Sequence, residues 1–255
     1  MTSISLKNVT LAYPLLGGGM RKRVVGNQLK SAGGIIVNNN SQRSRSIVAL
    51  SNINLEIKQG DRVGLIGRNG SGKSTLLRVV AGIYTPIQGK VSVNGEISSL
   101  FSAGIGIKPE VTGYRNIELA ALMSGRDPKK IPEVIFEIAQ FSELGNYLNM
   151  PVSTYSNGMA MRLKFSCATA FSPDIVLLDE WLGAGDESFK KKAQLRLRDV
   201  INNAGIMILA SHNHKQILKE CNKVIWLERG QVKHFGETQY TLQQYDNFHN
   251  VESQI

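Results

Sequence analysis

The segment RVGLIGRNGSGKST, residues 62–75, constrains this chain more than any other stretch. A short strand of buried type, RVGLIG, runs directly into Gly67-x-x-x-x-Gly72-Lys73-Ser74, and a helix is expected from Gly72 to about Val80. Strand, glycine-rich turn and helix in that order are what a phosphate-binding loop requires. Backbone N–H groups from Gly70 to Ser74 would face one concave nest, backed by the positive end of the helix dipole. The glycines are expected because a Cβ would obstruct the turn and the close approach of phosphate oxygens. Lys73 is then expected on the β- and γ-phosphates, Ser74 on Mg²⁺ and Thr75 on the α-phosphate. Gly67, Asn69, Gly70, Ser71 and Gly72 shape the cradle. From average composition, a chance match in a chain this long is on the order of one in a hundred. The motif predicts a site for ATP or GTP.

The rest of the chain supplies the sheet that such a loop needs. DIVLLDE, IMILAS and KVIWLE are short apolar runs that alternate with helical patterns near 187–202 and 214–220, with a final helix from about 238. Apolar strands alternating with helices predict an α/β fold with a parallel sheet. Upstream, ISLKNVTLAY and IVALSNINLEI read as strands, and GKVSVNGEISSLF as a pair of strands turning at Asn94-Gly95. Residues 113–150 turn helical and interrupt the alternation, which predicts a helical subdomain over about 102–170. Between the first two strands, residues 14–46 are rich in Gly, Asn and Ser and read as an insertion.

Three further features carry chemistry. IVLLDE ends a buried strand on two acids, so Asp179 and Glu180 are expected at its carboxyl end, where ligands of such sheets sit. Asp179 would hold Mg²⁺ through water and Glu180 would polarise the attacking water; the alternative is a surface turn. LASHN ends the next strand at His212, placed to hydrogen-bond the γ-phosphate or the water, whereas His214 reads as structural. TYSNGM opens a helix that runs to about Phe171. Ser156 and the N–H groups of Gly158 and Met159 form an anion site there, or simply an ordinary capped helix. A second phosphate site is redundant within one chain. It has a use if two copies face each other and each covers the other's nucleotide.

Composition narrows the class. Of 255 residues 42% are hydrophobic, enough for a sizeable core. No apolar run approaches the roughly 18 residues that span a bilayer, and the start MTSISLKNV lacks the features of a signal peptide, so a cytosolic chain is expected. Cys167 and Cys221 have neither metal nor redox spacing and read as buried, reduced thiols. The net charge is +10, and +6 of it lies in the acid-free stretch 14–46. That stretch is either a surface for phosphate-bearing partners, such as nucleotide or anionic lipid, or a solvated loop.

Taken together, these motifs resemble the nucleotide-binding subunit of ABC transporters, over nearly the whole chain from Ala12-Tyr13 to about 236. The resemblance implies one domain across 1–255: a P-loop NTPase (RecA-like) core, an antiparallel β subdomain and an inserted α-helical subdomain. It implies ATP and Mg²⁺ as cofactors and ATP hydrolysis as the activity. It also implies a homodimer with Ser156 and Gly158 on the partner's nucleotide, Tyr13 stacked on adenine, and Asp186 of GAGD at the dimer seam. The family's L-S-G-G-Q appears here as Tyr155-Ser156-Asn157-Gly158-Met159; Asn tolerates a left-handed backbone, and Met159 loses any amide contact. No Gln occurs between Asn94 and Lys130, so its usual Mg²⁺ contact is lost or passes to Ser102 or the backbone near Ala103. TYSNGMAMRLKFSCATAFSPDIVLLDEWLGAGDESFKKK and PEVTGYRNI are similar to the branch that exports O-antigen, capsule or teichoic-acid polysaccharides. That branch implies a membrane permease as partner, a lipid-linked polysaccharide as cargo, and a peripheral place on the cytoplasmic face of the inner membrane. The rival readings are an ABC ATPase for a lipid or drug, and a soluble ABC ATPase acting on nucleic acid; no nucleic acid is expected. Only about 20 residues follow 236, too few for a carbohydrate-binding sandwich of roughly 100 residues.

Overall fold

The computed structural model describes residues 1–15, 35–38, 45–99, 107–125, 127–180 and 187–252. They divide into two compact units, residues 1–95 with 205–255 and residues 96–204.

The first unit holds an antiparallel sheet and the strands that carry the phosphate loop. β1 (Ser3–Leu15) lies between β3 (Arg45–Lys58) and β5 (Gln88–Asn94), and β2 (Ile35–Asn38) extends the edge beyond β3. Period-two alternation sets the faces: Ile4 and Leu6 on β1 and Ile53, Leu55 and Ile57 on β3 are buried. β4 (Arg62–Ile66) runs parallel to β8 (Ile206–Ala210) on one side and to β9 (Lys223–Glu228) on the other. These strands are continuous apolar runs because both faces are covered; β8 is buried at every position. α1 (Lys73–Val80), α6 (His214–Glu220) and α7 (Thr238–Glu252) complete the unit.

One strand expectation needs correction, and one strand was not foreseen. Asn94-Gly95 does not close a hairpin: β5 pairs with β1, whereas β6 (Ile97–Ser99) pairs in parallel with β7 (Ile175–Asp179). A two-residue type I′ turn needs positive φ at both centres. Among the described residues the positive-φ set includes Gly95 (φ 128°) but not Asn94. The sequence reading also passes over β10 (Gln231–Glu237), which pairs antiparallel with β9. There the central residues Arg229 (φ 47°) and Gly230 (φ 76°) both have positive φ, so the tight hairpin falls at Arg-Gly instead.

The second unit is mainly helical. α2 (Gly113–Met123), α3 (Ile131–Ser142) and α4 (Asn157–Thr169) bury Ile117, Ile138, Leu148 and Leu163 in a common core. The unit reaches further than the helical stretch, because α5 (Glu187–Asn203) is fastened to it. Phe189 joins Phe141 and Phe165 with ring centroids 5.7 and 6.0 Å away. Lys192 and Arg196 pair with Glu143 and Glu137, each at 2.6 Å. The apolar contacts carry more of the docking, since half-exposed ion pairs contribute little.

Candidate functional site

β4 delivers the chain to the loop at the carboxyl edge of its strands, with Leu65 opposite Ala210 and Ile66 opposite Trp226. Three glycines with positive φ then turn it: Gly67 (146°), Gly70 (79°) and Gly72 (108°). A Cβ on Gly67 would run into the Leu227 carbonyl oxygen, and one on Gly72 would come within 3.0 Å of the Ala49 carbonyl oxygen. Glycine at these two places is therefore demanded first by the chain's own backbone, before any phosphate is considered. Gly230 closes the loop from outside: its N–H donates to the Ser71 carbonyl at 2.9 Å, and the Gly230 carbonyl accepts from Ser51 N–H at 2.8 Å. Lys73 is buried, and its Nζ donates to the carbonyls of Gly67 (2.6 Å) and Arg68 (3.2 Å). The ammonium is thus held on the axis of the loop by a cross-brace. Asn69 and Gly70 form the exposed tip, and Ser74 and Thr75 are half-buried in the first turn of α1.

Two other expected residues belong to the same unit. Tyr13, half-buried on β1, places its hydroxyl 3.3 Å from Thr75 Oγ1 and its ring perpendicular to Tyr84, with centroids 5.7 Å apart. His212 is exposed just beyond β8, whose parallel pairing with β4 brings both strands to the same edge. Its neighbours are fixed: Asn213 N–H donates to the buried Ser211 Oγ at 3.1 Å, and Asn213 caps α6 by accepting from Gln216 N–H at 3.2 Å.

The remaining expected residues lie in the second unit. β7 buries Ile175 to Leu178, leaves Asp179 half-buried at its carboxyl end and exposes Glu180. Glu180 has φ 64°, a left-handed backbone that costs a non-glycine residue about 1 kcal/mol or more and that collects at functional positions. Ser156 caps α4, its Oγ accepting from Met159 N–H at 3.3 Å. That N–H, one of two expected on an anion, is engaged by the cap. Gly158 is exposed, and among the described residues a Cβ there would meet only Ser156 Oγ, 3.9 Å away. The approach to this turn is held by Tyr155, whose hydroxyl donates to the Tyr147 carbonyl at 2.7 Å, and burial pushes that phenol above its ordinary pKa. Buried Asn116 ties down the incoming loop, accepting from Lys108 N–H at 2.7 Å and donating to the carbonyls of Lys108 and Thr112 at 3.0 Å.

The family model described as ABC transporter matches residues 50–183, the stretch that holds the phosphate loop, the Ser156 turn and the acid pair. The chain belongs to the ABC transporter family. It is 43% identical to the O-antigen export system ATP-binding protein RfbE of Yersinia enterocolitica, over 91% of this chain and 97% of that protein. It is 36% identical to the teichoic acids export ATP-binding protein TagH of Listeria innocua, over 82% of this chain but 62% of that protein. It is 40% identical to the O-antigen export protein RfbB of Myxococcus xanthus, where it covers 47% of the relative. It thus spans nearly all of RfbE and between about a third and just under two thirds of the longer relatives. A dimeric ATP-binding cassette, solved in a post-hydrolysis state with ADP and phosphate, aligns with a TM-score of 0.65 at 22% identity, over 92% of this chain and 98% of that one. The fold is that of ATP-binding cassettes.

Seen as an ABC subunit, the chain has features that sequence reasoning missed. Tyr84 and the Arg229-Gly230 turn touch Tyr13 and the glycine-rich loop, respectively, without belonging to any motif. The only prior signals were an aromatic just past a helix end and an Arg-Gly pair between apolar runs. Asp186, Ser102, Ala103 and most of the basic stretch 14–46 lie outside the described residues. Burial pushes the Cys167 and Cys221 thiols up to about 12, so both stay protonated at neutral pH, as inert structural cysteines should.

Proposed function

We propose that this chain is the ATP-hydrolysing subunit of an ABC exporter that moves a lipid-linked polysaccharide, of O-antigen or capsule type, across the cytoplasmic membrane. The observation that carries the cargo is the 43% identity to an O-antigen export ATP-binding protein over nearly the full length of both chains. The phosphate loop, complete down to the Lys73 brace, supports the activity.

In the working assembly two copies would face each other, each ATP held between residues 67–75 of one and Ser156 and Gly158 of the other. The open space at Gly158 supports this arrangement, since no contact among the described residues asks for a glycine there. Tyr13 would stack on adenine, Lys73 would bind the β- and γ-phosphates, and Thr75 the α-phosphate. The Ser74 hydroxyl and the Asp179 carboxylate are hard oxygen donors that suit Mg²⁺, which when bound neutralises charge on the phosphate oxygens. Glu180 would accept the proton of the attacking water, and His212 would orient that water or hydrogen-bond the γ-phosphate. Asp186 would line the seam between copies. Closure would push a membrane permease through the helical region, with the chain peripheral on the cytoplasmic face. Among the described residues no helix is long and apolar enough to cross a membrane.

The test pairs a cell with a tube. Deleting the gene should strip the surface polysaccharide, and the Glu180→Gln variant should fail to restore it. Surface polysaccharide that persists without the chain would remove the cargo reading. A purified chain that releases no phosphate from ATP with Mg²⁺ would remove the ATPase reading.

A further inference from the structure

We propose that Tyr84 is a positioning residue for the nucleobase: it presets the ring of Tyr13 so that the base platform is built before ATP arrives. The inference rests on the ATP-binding reading above and concerns a residue outside every recognised motif.

Two contacts fix the orientation of Tyr13. The hydroxyl lies 3.3 Å from Thr75 Oγ1, which anchors the long axis of the side chain to the first turn of α1. Tyr84 meets the ring at 83° with centroids 5.7 Å apart, which restrains rotation of the ring plane. Perpendicular aromatic contact is a favoured geometry, and a single neighbouring ring covers at most one face of Tyr13. At least one face stays clear of Tyr84, which leaves room on that side for the parallel base proposed here.

Tyr84 can act as a stop only if it is itself fixed, and its backbone is. After α1 the N–H groups of Ile83 and Tyr84 both return to the Arg78 carbonyl, at 2.9 and 3.3 Å, and Gly82 takes φ 72° to make the turn. The Arg78 guanidinium sits 5.9 Å from the Tyr84 ring centroid and adds a second restraint. Just beyond, Ile87 N–H donates to the Thr10 carbonyl on β1 at 2.9 Å, so the connector is tied to the strand that carries Tyr13. Both ends of α1 therefore hold Tyr13: Thr75 from the phosphate end and Tyr84 from the far end. Base and phosphate sites share one rigid frame.

The experiment is a double-mutant cycle on the full chain, with affinity for ATP and for inorganic tripolyphosphate measured by calorimetry. Tyr84→Ala should weaken ATP binding by roughly two- to tenfold, the value of one lost aromatic contact, and leave tripolyphosphate affinity unchanged. In a Tyr13→Ala background the same change should have no further effect, and Tyr84→Phe should restore parental affinity. Equal ATP affinity in Tyr84→Ala, an equal loss for tripolyphosphate, or an undiminished loss without Tyr13 would each overturn the proposal. A parent chain that binds neither ligand would overturn the nucleotide reading itself, and this inference with it.

Discussion

Two helix starts in this molecule do opposite things with the same raw materials. α1 begins after Gly72 in a left-handed conformation with no side-chain cap, and its orphan N–H groups face a loop bent by three positive-φ glycines. α4 begins after Ser156 in an extended conformation, capped by that serine and open to solvent at Gly158. The first is shaped from within: Leu227, Ala49 and Gly230 press on it, and Lys73 braces it. The second is complete as an ordinary helix start, apart from a glycine that no contact among the described residues requires. A cradle whose glycines are internally required holds a ligand by itself. A glycine left open by every described neighbour makes sense when something else comes close.

That contrast can be broken experimentally. Glu180→Gln leaves the sequence of both helix starts unchanged and removes the proposed proton acceptor; phosphate release should fall by about 10²- to 10⁴-fold while ATP still binds. Rapid turnover by that variant would take the chemistry away from Glu180 and leave the comparison without a reaction to serve. Next in size, Gly67→Ala should destabilise the fold by about 2–4 kcal/mol in chemical denaturation, because the new methyl meets backbone that cannot yield. Gly158→Ala should behave in the opposite way. Its stability should stay within about 1 kcal/mol of the parent, shifted upward if at all, since alanine suits a helix better. Its ATPase activity should nevertheless fall by roughly 10- to 100-fold if a partner's nucleotide must approach that face. Full activity in Gly158→Ala would end the argument that the turn serves a second copy. Smallest is Ser156→Ala, whose lost cap should cost about 1 kcal/mol, or about 2–4 °C in melting temperature for a chain of this size.

How much of this was legible beforehand follows the same line. The phosphate loop was, because strand, glycines, lysine and helix are contiguous and the physics is local. The acid pair and His212 were legible because each ends a run of buried apolar residues, which fixes its edge of the sheet. Asn94-Gly95 misled because a dipeptide reports only backbone freedom; β5 finds its partner in β1, far back along the chain. β10 was missed because Gln231–Glu237 is half exposed and lacks a clean apolar run. Tyr84 could not be seen at all. Its role depends on a turn that folds the end of α1 against a strand near the start of the chain, and no local pattern encodes such a contact.

The left-handed backbone at Glu180 has an evolutionary consequence. A glycine there would relax the torsion, so the backbone conformation by itself favours glycine over a long acidic side chain. If the proposed role of Glu180 holds, drift toward glycine would ease the backbone and stop the motor. A Glu180→Gly chain that melts clearly below its parent would show that this carboxylate has a structural duty as well.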